Sequence, residues 1–145
     1  MSARPRVVLD TNVVASAILW EGKPGRLLAL ARDGEIRVFT SRTLLNEFRA
    51  TLQKPKLAKA LAATGSTADA LLADYRRLAT VVQAPALAVA VSRDPDDDRI
   101  IACAIAARAD VVVSGDNDLL VLEGVGGIPI VSASVFLAGL EAKAR

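Results

Sequence analysis

The sequence predicts an α/β fold in which helices cover both faces of a parallel sheet. Short runs rich in β-branched residues alternate with longer stretches of helical periodicity along the whole chain. The order is strand, helix, helix, strand, helix, helical hairpin, helix, strand, helix, strand, helix. Two of the runs, at 7–9 and 109–114, end abruptly on polar and acidic residues. That pattern is typical of buried strands that deliver side chains to one edge of a parallel sheet.

Hydrophobic periodicity and turn residues divide the first half of the chain into elements. After the first strand, the predicted helices occupy residues 11–19, 26–32, 42–53, 56–63 and 67–79, and the predicted strands occupy 36–40 and 80–82. Ser41 is a favoured N-cap for the third helix. Trp20 precedes a Gly- and Pro-rich loop and is expected to cover the edge of the core rather than to stack on a base. The basic residues of the helical hairpin form either a phosphate contact or a solvated surface: Lys54, Lys56, Lys59, Arg76 and Arg77.

The second half of the chain starts with an extended connection at 84–91. Asp94 followed by Pro95 predicts an N-cap and the first residue of a helix. A strand at 109–114 and a short apolar helix come next. The glycine-rich segment 124–127 is predicted to be a loop, and Ile128–Val131 an edge strand, because proline cannot donate to a ladder. Residues 134–144 form the closing helix.

The composition limits both size and chemistry. A chain of 145 residues is expected to form one domain. It has no His, which excludes a Ser-His-Asp triad and His-ligated zinc, and its one cysteine, Cys103, is expected to be a buried, inert thiol. A net charge of +2 permits a nucleic-acid partner without requiring one. No apolar run reaches the ~20 residues of a membrane span, and Asp10 interrupts the first one, so a cytoplasmic protein is expected.

Carboxylates follow both buried strands. Asp10 ends the first strand, and Asp116 comes two residues after the 109–114 run. Since ligand sites gather outside the carboxyl ends of parallel strands, both are candidates for a shared site. The alternative is that each caps the helix that follows. Glu47 lies on the shoulder of an apolar helix stripe, so its carboxylate could point inward, although most helix glutamates are solvated and the pattern alone favours that alternative.

The acidic segment 94–98 holds four carboxylates within five residues. Helix capping and the helix dipole explain one or two of them, and a bound divalent cation would relieve the repulsion among the rest. Helix phase favours Asp98 as the ligand, because Ile101 and Ala102 share its side of the helix. Asp96 and Asp97 remain open as alternatives.

Carboxylate ligands without His or Cys indicate Mg²⁺ or Mn²⁺. One or two such ions in an acidic cluster are the usual means of hydrolysing a phosphodiester. This chemistry needs no side-chain general base, which agrees with a chain that has no His.

The sequence also resembles a known family. Four motifs carry the resemblance: Val8-Leu9-Asp10-Thr11-Asn12-Val13, Leu44-Leu45-Asn46-Glu47-Phe48, Asp94-Pro95-Asp96-Asp97-Asp98 followed by Ile100-Ile101-Ala102-Cys103-Ala104, and Val113-Ser114-Gly115-Asp116-Asn117-Asp118-Leu119-Leu120. In this order, over residues 7–122, they resemble the PIN-domain family, in particular the VapC-like toxins of bacterial toxin–antitoxin pairs.

The resemblance implies a three-layer α/β/α fold with a parallel sheet of about five strands, in a single PIN-like domain spanning residues 1–145. It implies an Mg²⁺- or Mn²⁺-dependent endoribonuclease for single-stranded RNA that forms a homodimer and is inhibited by an antitoxin protein. The implied catalytic and metal-binding residues are Asp10, Glu47, Asp98 and Asp116, with Asp118 as a further metal ligand and Asn12 and Ser114 as substrate-contacting or supporting residues. Two alternatives stay open: a PIN-fold nuclease of RNA processing without an antitoxin, and a catalytically inactive PIN-fold binding module.

Overall fold

The computed structural model describes residues 4–20, 22–87 and 95–144, without the side chains of Pro95, Asp96 and Ala144. The strands are β1 (Arg6–Leu9), β2 (Arg37–Ser41), β3 (Thr80–Val82), β4 (Val111–Val113), β5 (Gly124–Val125) and β6 (Ile128–Val131). The helices are α1 (Thr11–Trp20), α2 (Gly22–Arg32), α3 (Arg42–Leu52), α4 (Ala58–Ala63), α5 (Ala68–Leu78), α6 (Pro95–Ala107), α7 (Asn117–Leu120) and α8 (Ala133–Ala144), and a 3-10 turn (Pro55–Leu57) precedes α4. The predicted cap Asp94 and residues 88–91 of the predicted connection lie outside the described residues.

The strands form one sheet in the order β3-β2-β1-β4-β6-β5. The first five of these strands pair in parallel, and β5 pairs with β6 antiparallel. The predicted parallel sheet of about five strands is therefore confirmed. The prediction of a plain loop at 124–127 is wrong, because Gly126 and Gly127 adopt φ of 58° and 81° and close a two-residue hairpin. As a result β6 is not an edge strand but lies between β4 and β5.

Two apolar clusters lie on opposite faces of the sheet. Alternate residues of β1 divide between them: Val7 and Leu9 belong to one cluster and Val8 to the other. The first cluster is covered by residues of α1, α2, α3, α5 and α8. The second is covered mainly by α6 and α7. The result is the predicted arrangement of helices on both faces.

Four further features of the structure bear on the predictions. Helix α2 begins at Gly22, inside the predicted loop, because Pro24 fits the first turn of a helix. Trp20, the last residue of α1, is 59% exposed, so the prediction that it covers the core edge is wrong. Cys103 is buried as predicted, and burial raises the pKa of its thiol to about 12, against the opposing effect of a hydrogen bond with Ser41. Within the described ranges no helix has the length and apolar character needed to cross a membrane.

Helix α3 is anchored at its first turn by a buried side chain. Ser41 has extended backbone angles and its Oγ accepts a hydrogen bond from Leu44 N–H at 3.2 Å, as the sequence predicts for an N-cap. Leu45, Phe48 and Leu52 then pack into the first cluster. This packing fixes the rotation of α3 about its axis and therefore the direction of its other side chains.

We expect Ser41→Ala to lower the free energy of unfolding by about 1–2 kcal/mol, because it leaves a buried N–H without an acceptor. The measurement is urea denaturation. Ser66→Ala is the control, since no hydrogen bond of the Ser66 hydroxyl occurs in the described part of the chain, and it is expected to change the value by less than about 0.5 kcal/mol. Equal effects of the two substitutions would contradict the capping role.

Candidate metal centre

The centre lies where β1 and β4 end side by side. Leu9 aligns with Val113 in the parallel register, so the next residues, Asp10 and Ser114, are neighbours. Asp10 N–H donates to Val113 O at 2.9 Å, and Ser114 Oγ donates to Asp10 Oδ2 at 2.7 Å. Because β1 connects onward to β2 on one side while β4 lies on its other side, this is a topological switch point, where open α/β sheets form their ligand sites.

Asp10 caps a helix and also lines an open pocket at this edge of the sheet. Its Oδ1 accepts from Asn12 N–H at 3.2 Å, and its carbonyl accepts from Val14 N–H at 3.1 Å, so it caps α1. Its side chain is 4% exposed. Burial raises the pKa of Asp10 above its ordinary value; hydrogen bonds from Ser114 and Asn12 oppose the shift, and the nearby charge of Asp116 adds to it. The capping alternative is thus correct for Asp10, but it does not use the second carboxylate oxygen.

Ser114 links the two strand-end acids. Its buried hydroxyl donates to Asp10 and accepts from Asp116 N–H at 2.9 Å. Asp116 in turn caps α7, with its Oδ1 accepting from Asp118 N–H at 2.9 Å. The capping alternative therefore holds here as well. Ser114 fixes the loop that presents Asp116 and Asp118.

Three carboxylates approach one another closely at this edge of the sheet. Asp97, Asp116 and Asp118 each place a carboxylate oxygen within 4.8 Å of the others. An open pocket of about 320 Å³ adjoins them. Asp10, Asn12 and Glu47 line that pocket together with Asp97 and Asp116. Strand ends and helices α3 and α6 thus bring the predicted acids together, with one exception.

The exception is Asp98, which helix phase had favoured. Asp98 lines a different depression, beside Ser41 and Thr43, whereas Asp97 is 4% exposed and faces the acidic pocket. The physical reason is the orientation of α6. All residues from Ile100 to Ala104 are buried, so the apolar residues one turn away from Asp97 and from Asp98 are buried alike, and only the packing of the helix decides which acid faces the pocket. In the structure the acid of α6 that lies at the acidic pocket is therefore Asp97, an alternative that the sequence had left open, and not Asp98. The Asp96 side chain lies outside the described part of the chain.

Glu47 turns toward the pocket rather than into solvent. It is 19% exposed on its side chain, and its Oε1 accepts from Arg99 Nη1 at 2.8 Å. Arg99 is a contact that the sequence did not reveal. The two residues are separated by 52 positions, and only the packing of α3 against α6 brings them together.

The donor set matches a hard divalent cation. All the charged ligands are carboxylates, which Mg²⁺ and Mn²⁺ prefer. Thr11 supplies an independent indication, because it lines the same pocket, is 8% exposed, and its Oγ1 is the one fully buried side-chain polar atom without a hydrogen-bond partner found in the described part of the chain. A buried hydroxyl without a partner is unfavourable and favours a bound ligand or water beside it.

The family follows from a comparison of the whole sequence with family models. The model described as PIN domain matches residues 6–118, a span that begins in β1 and ends on Asp118. The chain belongs to the PIN-domain family. This PIN domain is also 33% identical over 118 residues to the uncharacterized protein MJ1680 of Methanocaldococcus jannaschii, covering 81% of this chain and 74% of that protein.

Two solved structures share the PIN fold of this chain. VapBC2 from Rickettsia felis, bound to a DNA fragment from their promoter, matches with a TM-score of 0.55 and 14% identity over 86% of this chain and 96% of that one. The PIN domain of T. brucei RRP44 matches with a TM-score of 0.50 and 17% identity over 97% of this chain and 83% of that one. At these identities the likeness is one of fold.

Proposed function

We propose that this PIN-domain protein is an Mg²⁺- or Mn²⁺-dependent endoribonuclease that cleaves single-stranded RNA. The observation that carries the proposal is the meeting of Asp97, Asp116 and Asp118 at the switch point of the sheet, beside Asp10 and Glu47. Family membership supports the assignment of this acidic edge as a nuclease centre. A binding module would have no need for five acids that converge from separate elements.

Each residue has a defined part in this proposal. Asp97, Asp116 and Asp118 would hold the cation, and Asp10 and Glu47 would complete its surroundings. The bound cation supplies activation of water and stabilisation of the leaving oxygen. Ser114 keeps the Asp10 carboxylate oriented through its 2.7 Å hydrogen bond, so it acts as a positioning residue. Asn12 lines the pocket and is exposed, which suits contact with the substrate.

The biological role we propose is that of a toxin paired with an antitoxin protein, acting as a homodimer. The support is the shared fold with VapBC2 of Rickettsia felis. The likeness to the RRP44 PIN domain keeps a nuclease of RNA processing as the second candidate. Induced expression separates them: growth arrest that is relieved by co-expression of the neighbouring gene favours the toxin, and unimpaired growth favours RNA processing.

The biochemical test uses end-labelled single-stranded RNA with the purified protein. We expect cleavage in Mg²⁺ or Mn²⁺, none in EDTA, and recovery when excess Mg²⁺ is added back. Asp116→Asn, purified in parallel, controls for contaminating nucleases, because asparagine is as good an N-cap as aspartate and the fold should persist. Binding of Mn²⁺ without cleavage of any RNA would refute the ribonuclease activity and leave the metal centre standing.

A further inference from the structure

A lysine just beyond the end of α3 lines the acidic pocket. Glu47, Ala50 and Thr51 line it from one face of α3, and Lys54, two residues after the last residue of the helix, lines it as well. The backbone at Lys54 is held by its N–H, which donates to Thr51 O at 3.2 Å, and by Pro55, which confines it to an extended conformation with φ −64° and ψ 137°. The turn that ends α3 thus places Lys54 at the same pocket as Glu47.

The charge of Lys54 differs from that of every other ionisable side chain in the pocket lining. Among the described lining residues it is the one cation, beside the carboxylates of Asp10, Glu47, Asp97 and Asp116. Lys54 is exposed and forms no ion pair in the part of the chain that the structure describes. The arginines of the neighbourhood are paired: Arg49 with Asp69 at 3.0 Å and Arg99 with Glu47 at 2.8 Å. The ammonium group of Lys54 therefore remains available to an anion that enters the pocket.

We propose that Lys54 binds a phosphate oxygen of the RNA at the nucleotide next to the cleaved linkage. This inference rests on the proposed nuclease function and adds a substrate-binding residue to it. A divalent cation would offset part of the negative charge of the carboxylates, and the lysine adds a mobile positive charge that a phosphate oxygen can contact at this end of the pocket. The unpartnered Thr11 hydroxyl in the same lining is an independent sign that the pocket accepts a polar ligand.

A different role for Lys54 is that of a counter-charge that merely stabilises the acidic cluster. The two roles predict different effects of removing the lysine on the stability of the metal-free protein and on its affinity for Mn²⁺. A counter-charge is needed most when no cation is bound, so its removal lowers the melting temperature of the metal-free protein. A phosphate-binding lysine leaves stability unchanged, and its removal leaves Mn²⁺ affinity equal or higher because one repelling positive charge is gone.

The experiment compares Lys54→Ala and Lys54→Arg with Lys143→Ala, an exposed lysine of α8 outside the pocket and outside the helical hairpin, as the charge-matched control. An end-labelled single-stranded RNA of random sequence is titrated in Ca²⁺ at several salt concentrations and followed by fluorescence anisotropy. We expect Lys54→Ala to weaken binding about tenfold and to reduce the salt slope by about 0.7, the value for one phosphate contact on a single strand. Lys54→Arg keeps the charge and should stay within about threefold of wild type, as should Lys143→Ala.

Kinetics and metal titration complete the test. In Mn²⁺ we expect Lys54→Ala to raise KM more than it lowers kcat, with Mn²⁺ affinity retained. If Lys54→Ala binds RNA as wild type does, while wild type cleaves it, the lysine proposal is overturned and the nuclease proposal survives. If wild type neither binds nor cleaves RNA, both are overturned. A lower melting temperature of Lys54→Ala in EDTA with unchanged RNA affinity would assign the lysine to the counter-charge role instead.

Discussion

Asp97→Asn is expected to abolish Mn²⁺ binding and to lower RNA cleavage by about 100-fold or more, whereas Asp98→Asn keeps both within about threefold of wild type. Loss of residues that only support a metal ligand commonly costs about 10–100-fold, so the loss of a direct carboxylate should cost at least as much. The two residues are adjacent on α6 and chemically identical. They differ in direction: Asp97 is 4% exposed in the acidic pocket, and Asp98 lines a separate depression.

Asp98→Asn is therefore the matched control for Asp97→Asn. Isothermal titration of Mn²⁺ and cleavage of end-labelled RNA are measured on the same preparations, together with thermal unfolding to verify that both variants fold. Equal losses in the two variants would mean that the segment acts through its total charge rather than through one ligand. A loss confined to Asp98→Asn would restore the assignment that helix phase favours and contradict the structure.

The strand-end residues of the centre could be predicted from the sequence because parallel strands fix their own neighbours. Once β1 and β4 are recognised as buried strands, their carboxyl ends must reach the same edge, and Asp10 and Asp116 follow. Helix residues are different. One residue of error in the phase of a helix turns a side chain by about 100°, and the consecutive acids at the start of α6 are chemically identical, so the sequence did not show which of them faces solvent.

Contacts between side chains of different helices could not be predicted from the sequence either, because they also depend on how each helix is rotated about its axis. The Arg99–Glu47 ion pair joins α6 to α3 across 52 positions, and the place of Lys54 in the pocket depends on how α3 is rotated over the sheet. The buried hydroxyl of Thr11 is visible as an unsatisfied group only when all its neighbours are known. The short β5 was missed because two residues carry no periodicity.

Asp10→Asn is expected to do two opposite things: to remove most of the RNA cleavage and to raise the melting temperature of the metal-free protein. Burial raises the pKa of Asp10, so its charged form is penalised in the folded state at neutral pH. Asparagine is uncharged, remains a good N-cap for α1 and can still hydrogen-bond with Ser114. We expect a rise of a few degrees, since 1 kcal/mol corresponds to about 2–4 °C for a domain of this size.

The sign of the pH dependence follows from the direction of that shift. A folded state with a raised carboxyl pKa binds its proton more tightly than the unfolded chain, so wild type loses stability as pH rises through that pKa. The advantage of the Asn variant should be largest above the raised pKa, shrink as the pH falls, and vanish only toward about pH 3, where the carboxyl is mostly protonated in the unfolded chain as well. The measurement is thermal unfolding of both proteins in EDTA across this range. A variant that melts below wild type at neutral pH would show that the hydrogen bonds from Ser114 and Asn12 outweigh the burial.

Mn²⁺ should reverse the order of the two proteins. A ligand that binds only the folded state stabilises it by about 2.7 kcal/mol when the ligand concentration is 100 times the Kd. We expect Mn²⁺ to stabilise wild type by this amount and Asp10→Asn by much less. The melting temperatures are therefore expected to cross as Mn²⁺ is added, with Asp33→Asn, a change far from the pocket in the α2–β2 turn, following wild type throughout. Parallel shifts of wild type and Asp10→Asn would mean that Asp10 does not contribute to metal binding. A crossing would show that the acidic edge of this sheet is kept at a cost in stability for the sake of the cation it binds.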